Sequence, residues 1–172
     1  NPDNQMVASL VEDEIAFAPE NLGIAPDEIR KRVDESLAIV GMSDYALRST
    51  ANLSGGEKQR VAIAGVLAMK PEIIILDEAT AMLDPKGRHE VMDTILKINK
   101  SATTVIHITH NMDEAAIAQR VIVMDNGKIL INSTPYEVFK QTQLLKDAGL
   151  DVPQIVRTAQ ELRKFGIDIK ED

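Results

Sequence analysis

The sequence predicts an α/β fold, a small parallel sheet with helices, preceded by a helical segment and followed by a helical tail. Three observations carry this. Ile73-Ile74-Ile75-Leu76 is an unbroken apolar run, as in a strand buried on both faces, and Thr103 to Thr109, with Val105, Ile106 and Ile108, reads as a second buried strand. Between them, Pro85 to Ile98 places Val91, Ile95 and Ile98 at helical spacing, giving the strand–helix–strand order of a parallel sheet. Hydrophobic residues make up 44% and charged residues 27% of the 172, the balance of a globular chain rather than a disordered one.

The elements follow in order. Residues 1–52 read as helices and loops punctuated by Pro19, Gly23 and Pro26. Within them, Asp27 to Val40 carries a helical stripe of Ile29, Val33, Leu37 and Val40, with Gly41 as its C-terminal cap. Residues 53–133 form the sheet region. Leu53-Ser54-Gly55-Gly56 opens a helix with Val61, Ala64, Leu67 and Ala68 on one face, stopped by Pro71. The two buried strands and their helix come next, then a helix from Met112 to Gln119. Asp125-Asn126-Gly127 between two apolar runs predicts a β-hairpin. Residues 134–172 form the helical extension, with Pro135 and Pro153 at helix starts and Ile155, Ala159 and Leu162 on the last apolar face.

Charge and composition exclude several functions. Lys plus Arg number 19 against 27 Asp plus Glu, a net charge of −8 that argues against a broad nucleic-acid surface. The absence of cysteine excludes disulfides, thiolate metal sites and a thiol nucleophile. No run approaches the roughly 18–20 apolar residues of a membrane span. The opening Asn1-Pro2-Asp3-Asn4-Gln5 lacks both an initiator Met and a secretory pattern, so the chain is expected to be a piece of something longer.

Asp77-Glu78 places two carboxylates at the carboxyl end of a buried parallel strand, where open α/β sheets bind ligands. One can hold Mg²⁺ on bound phosphates while its neighbour orients or deprotonates a water; alternatively, the strand simply ends in polar residues. Ser54, Gly55 and Gly56 put a hydroxyl and unshielded N–H groups at the positive end of a helix, suited either to a phosphate or to an ordinary N-cap. His110 closes the second strand, whereas His89 and His107 read as structural. Asp84 caps the helix beginning at Pro85, with a subunit contact as an additional role.

Together these residues resemble the ATP-binding cassette ATPases. Leu53 to Arg60 looks like the signature motif, and Ile73 to Asp77 like the Walker B strand of a RecA-like sheet. Ala81 to Asp84 resembles the D-loop and His110 the switch histidine. The resemblance implies that Glu78 polarises the attacking water and Asp77 supports Mg²⁺ indirectly. It also implies that His110 steadies the γ-phosphate, while Ser54, Gly55, Gly56 and Glu57 meet ATP across a dimer interface. Asn1 to Gln5, Val11 to Phe17, Thr134 to Phe139 and Gly149 to Pro153 are similar to the energy-coupling factor branch, and Ala79 to Pro85 to the first of its two ATPase paralogues. That branch implies ATP and Mg²⁺ as cofactors, with uptake of a vitamin or transition-metal ion as the task. It also implies a second ATPase subunit, a membrane-embedded coupling subunit, a substrate-binding membrane subunit, no nucleic acid, and a cytoplasmic, membrane-peripheral location.

The family's phosphate loop, Gly-x-x-x-x-Gly-Lys-Ser/Thr, occurs nowhere in the chain. The 172 residues alone are therefore expected neither to bind MgATP tightly nor to hydrolyse it. Two other readings remain open. A chromosome-maintenance or DNA-repair ATPase head shares the signature, but residues 1–52 lack the long heptad lead-in of such a protein. A non-catalytic interaction module would dock a partner through the tail.

Overall fold

The computed structural model describes residues 6–101 and 103–165. They fall into two compact units, Asn1–Ile108 and Thr109–Asp172. The first unit contains α1 (Val11–Asn21), α2 (Pro26–Ile39), short 3-10 turns at Ser43–Tyr45 and Thr50–Asn52, α3 (Gly55–Ala68), β1 (Ile73–Asp77), α4 (Pro85–Lys100) and β2 (Thr104–Ile108). β1 and β2 pair in parallel, with Ile73 opposite Thr104 and Asp77 opposite Ile108, and α4 is the crossover that a parallel pair needs. One core joins Ile15 of α1, Val33 and Leu37 of α2, Val61 and Ile63 of α3, Ile74 and Leu76 of β1, and Val91, Ile95 and Ile98 of α4. Each such side chain, once buried, contributes about 1.5–3 kcal/mol.

The segment before α1 is tied to the segment before α3. Val11 N–H donates to the Arg48 carbonyl at 3.1 Å, and Thr50 N–H to that of Ser9 at 3.0 Å. The Thr50 hydroxyl donates to the Ala8 carbonyl at 2.7 Å. Thus the approach to Ser54 is anchored through backbone bonds to the start of α1.

The second unit contains α5 (Met112–Ala115), β3 (Val121–Asp125), β4 (Lys128–Ser133), α6 (Pro135–Phe139), α7 (Thr142–Asp147) and α8 (Gln154–Lys164). β3 and β4 form the expected hairpin, and Asn126 and Gly127 have φ of 46° and 74°, the paired positive values of a type I′ turn. Its core joins Val123 and Ile131 of the hairpin to Val138, Phe139, Leu145 and Val152. The tail therefore supplies most of the apolar cover of the hairpin.

Several expectations need correction. β1 and β2 are not buried on both faces: Ile73 and Ile75 are 56% and 64% exposed, and Ile106 and Ile108 are exposed too. Alternation along a strand sends Ile74 and Leu76 into the helical core and their neighbours to the other face, which no described element of this unit covers. Pro19 does not punctuate; it lies inside α1, near its end, buried. The helix from Met112 stops at Ala115 rather than at Gln119. In α8, Ile155 is exposed, and Val156 packs against the core instead. Asn1 to Gln5 lie outside the described residues. None of the described helices is long and apolar enough to cross a membrane.

Candidate functional site

Two helix starts meet in the first unit. Ser54 is the N-cap of α3, where Glu57 N–H donates to its Oγ while Ser54 N–H donates to Glu57 Oε2 at 2.8 Å, a reciprocal capping box. Asp84 is the N-cap of α4 and its Oδ1 accepts from Gly87 N–H at 2.9 Å, as the sequence predicts. The two starts approach backbone to backbone. A Cβ on Gly56 would lie 2.9 Å from the Gly87 Cα, and a Cβ on Gly87 would lie 2.7 Å from Asp84 Oδ1. Glycine at 56 permits the backbone approach, and glycine at 87 leaves room for the Asp84 cap. One turn further along, Arg60 of α3 pairs with Glu90 of α4, joining the helices again.

Between the two starts lies a cavity of about 440 Å³, lined among others by Tyr45, Ser54, Gly55, Gly56, Asp84 and Lys86. Its carboxylates are already engaged: Glu57 by Ser54, Asp84 by Gly87, and Glu90 by Arg60. The Ser54 N–H holds the Glu57 carboxyl below its ordinary range, against the opposing pull of desolvation, with the Ser54 and Tyr45 hydroxyls adding to the lowering. At the start of α3, Gly55 and Gly56 have N–H groups with no acceptor inside the helix; Gly55 is exposed, while Gly56 is buried against Gly87. N–H groups at the positive end of a helix suit an anion such as a phosphate.

Asp77 closes β1 and is exposed, and Glu78 follows half-buried. Glu78 has φ 50°, in the left-handed region that a glutamate rarely adopts. Its N–H donates to the Ile108 carbonyl at 3.0 Å and its carbonyl accepts from Ala81 N–H at 3.1 Å, so the peptides on both sides of the residue are held. Strain of this kind persists where surrounding bonds over-determine it, and it gathers at active sites. Among the described residues no group of three His, Asp or Glu side chains could hold a metal alone.

His110 belongs to the second unit and is exposed, between Thr109 and the N-cap Asn111. The first unit thus brings together Ser54, Gly55, Gly56, Glu57 and Asp84. Asp77 and Glu78 lie in the same unit at the end of β1. Sequence reasoning missed Gly87 and Tyr45 in the cavity wall and the pairing of Arg60 with Glu90. Gly87, three residues after a capping Asp, was the available signal.

A family profile described as ABC transporter matches residues 3–81. The energy-coupling factor transporter ATP-binding protein EcfA1 of Caldanaerobacter subterraneus is 61% identical over the whole chain, which covers 62% of that relative. EcfA1 of Clostridium perfringens is 58% identical over 98% of the chain and 60% of the relative. A solved structure of cbiO1 from Clostridium perfringens, described as part of the ABC transporter complex cbiONQ, superimposes with a TM-score of 0.77 at 38% identity. That match covers 93% of this chain and 64% of that one. The chain thus spans about three fifths of the length of the curated relatives it matches.

Proposed function

Because the chain belongs to the ATP-binding cassette ATPases, beside the ATP-binding subunits of energy-coupling factor transporters, we propose that it is the signature-bearing part of such a subunit. The observation that supports this best is the shared cavity between the Ser54 and Asp84 helix starts, floored by the Gly56–Gly87 approach. The three sequence segments serve as functional divisions. Residues 1–52 offer coupling contacts, 53–133 carry the motifs, and 134–172 extend the core.

MgATP supplies the phosphoryl group that is transferred to water. Glu78 orients the attacking water and accepts its proton, and His110 donates to the γ-phosphate. Ser54, Gly55 and Gly56 offer their hydroxyl and N–H groups to the nucleotide held by a second ATPase subunit, Glu57 keeping Ser54 in its cap. Asp84 belongs to the contact between the two. Asp77 supports Mg²⁺. Hydrolysis drives dimer reopening, and residues 1–52 pass the movement to a membrane-embedded coupling subunit. A groove of about 380 Å³ along α1 and α2, lined by Glu12, Asp13, Glu20 and Arg30, suits that role. Uptake then serves a vitamin or transition-metal ion bound by a separate membrane subunit, with the ATPase peripheral on the cytoplasmic face. The 172 residues by themselves are inactive, since this chain has no phosphate loop to hold ATP.

The test is Glu78→Gln in the full-length ATPase assembled with its partner. Turnover should fall by about 10²-fold or more, the scale of a lost catalytic base, with ATP binding retained. Near-normal turnover would remove Glu78 from the role.

A further inference from the structure

The most deeply buried carboxylate that the proposed mechanism leaves unused is Glu114, in α5 of the second unit, 5% exposed. A buried carboxylate is costly unless its oxygens find donors. Both do. The Thr109 hydroxyl donates to Glu114 Oε2 at 2.8 Å, and the Asn111 side-chain amide donates to Oε1 at 3.3 Å. The two donors are the residues on either side of His110. They are also joined to each other, since Asn111 N–H donates to the Thr109 Oγ1 at 3.0 Å. The Asn111 Oδ1 in turn accepts from Asp113 N–H at 3.0 Å, fixing the start of α5.

This arrangement leaves His110 as the exposed middle of a three-residue bridge whose two ends are pinned to one buried carboxyl group. The course of its backbone sets where the imidazole of His110 projects. A buried carboxyl group with both oxygens engaged leaves its donors no competing water, so it is a suitable anchor for a loop that must keep its course.

We propose that Glu114 is a positioning residue for His110, fixing the Thr109–Asn111 backbone from which the imidazole projects. The inference rests on the role given to His110 above. Glu114 acts on His110 through the Thr109 and Asn111 donors. Displacing a reacting group by about 1 Å can cost on the order of 10²-fold in rate, so loosening this anchor has a measurable consequence.

The test uses the full-length ATPase assembled with its partner, and measures kcat, KM for ATP and the melting midpoint. Glu114→Gln keeps the volume but turns one acceptor oxygen into a donor facing donors. Thr109→Val keeps the shape and removes the hydroxyl, whereas Thr109→Ser keeps the hydroxyl. Glu114→Gln and Thr109→Val should each lower kcat about tenfold with KM changed by less than about twofold, and Thr109→Ser should restore turnover. In a His110→Ala background, Glu114→Gln should add no further loss, because the group it positions is already gone. The proposal is overturned if His110→Ala is severe while Glu114→Gln and Thr109→Val leave kcat within about twofold, or if the losses multiply in the double variant. If His110→Ala itself leaves turnover intact, the role of His110 falls first and the anchor falls with it.

Discussion

The two units hold their functional residues by different means. In the first, Ser54 and Asp84 are set by close packing: two helices whose backbones touch at Gly56 and Gly87, over a core that runs from α1 to β1. In the second, a small core serves a hairpin, and His110 is set by side-chain hydrogen bonds from its neighbours to Glu114. Close packing tolerates no added atom, whereas a hydrogen-bonded loop depends on particular donors and acceptors. The first unit should therefore respond to volume and the second to polarity.

The largest expected effect comes from the tail. Truncation after Ser133 removes Val138, Phe139, Leu145 and Val152, each contributing about 1.5–3 kcal/mol when buried. Residues 109–133 should then lose hydrogen-exchange protection while α3 and β1 keep theirs. Retained protection in the hairpin would show that the tail is not its core. Next in size, Gly56→Ala should cost about 1–3 kcal/mol in a denaturant melt, since its new methyl meets backbone rather than a yielding side chain. A neutral result would mean that the helix starts can part freely.

Glu78→Gly should stabilise the chain by about 1 kcal/mol by relieving the left-handed backbone. In the assembled ATPase it should abolish turnover, so stability and activity move in opposite directions. Loss of stability would place the residue outside strain. The smallest effect is acid dependence. The Glu57 carboxyl titrates lower in the folded chain than its ordinary 4.5, so its contribution is complete above that value. It fades as pH falls through the lower folded value. The stability gap between the chain and its Glu57→Gln variant should narrow over that acidic range, and a constant gap would discount the capping carboxylate.

Much of this was legible in the sequence because the signals were local. The Asn126-Gly127 turn, the caps at Ser54 and Asp84, and the helical stripe ending before Gly41 each depend on a few adjacent residues. Burial of strands was less legible. Ile73 to Leu76 reads as buried on both faces, but that pattern reports the environment a sheet is built for, and here only Ile74 and Leu76 are covered. Pro19 ends no helix where it stands, because α1 continues for only two more residues, so any distortion the proline introduces falls on the last turn. The Gly56–Gly87 approach, the Arg60–Glu90 pair and the Glu114 anchor join residues whose partnership depends on folding, so composition and spacing could not announce them.

The central claim is that the chain carries hydrolytic and signature residues for a nucleotide that other parts of the assembly must hold. Calorimetric titration of MgATP into the 172-residue chain, its fold verified by circular dichroism, tests this most directly. The account predicts no detectable heat of binding. Saturable binding at micromolar concentration would contradict it, since a nucleotide would then be held here without the phosphate loop.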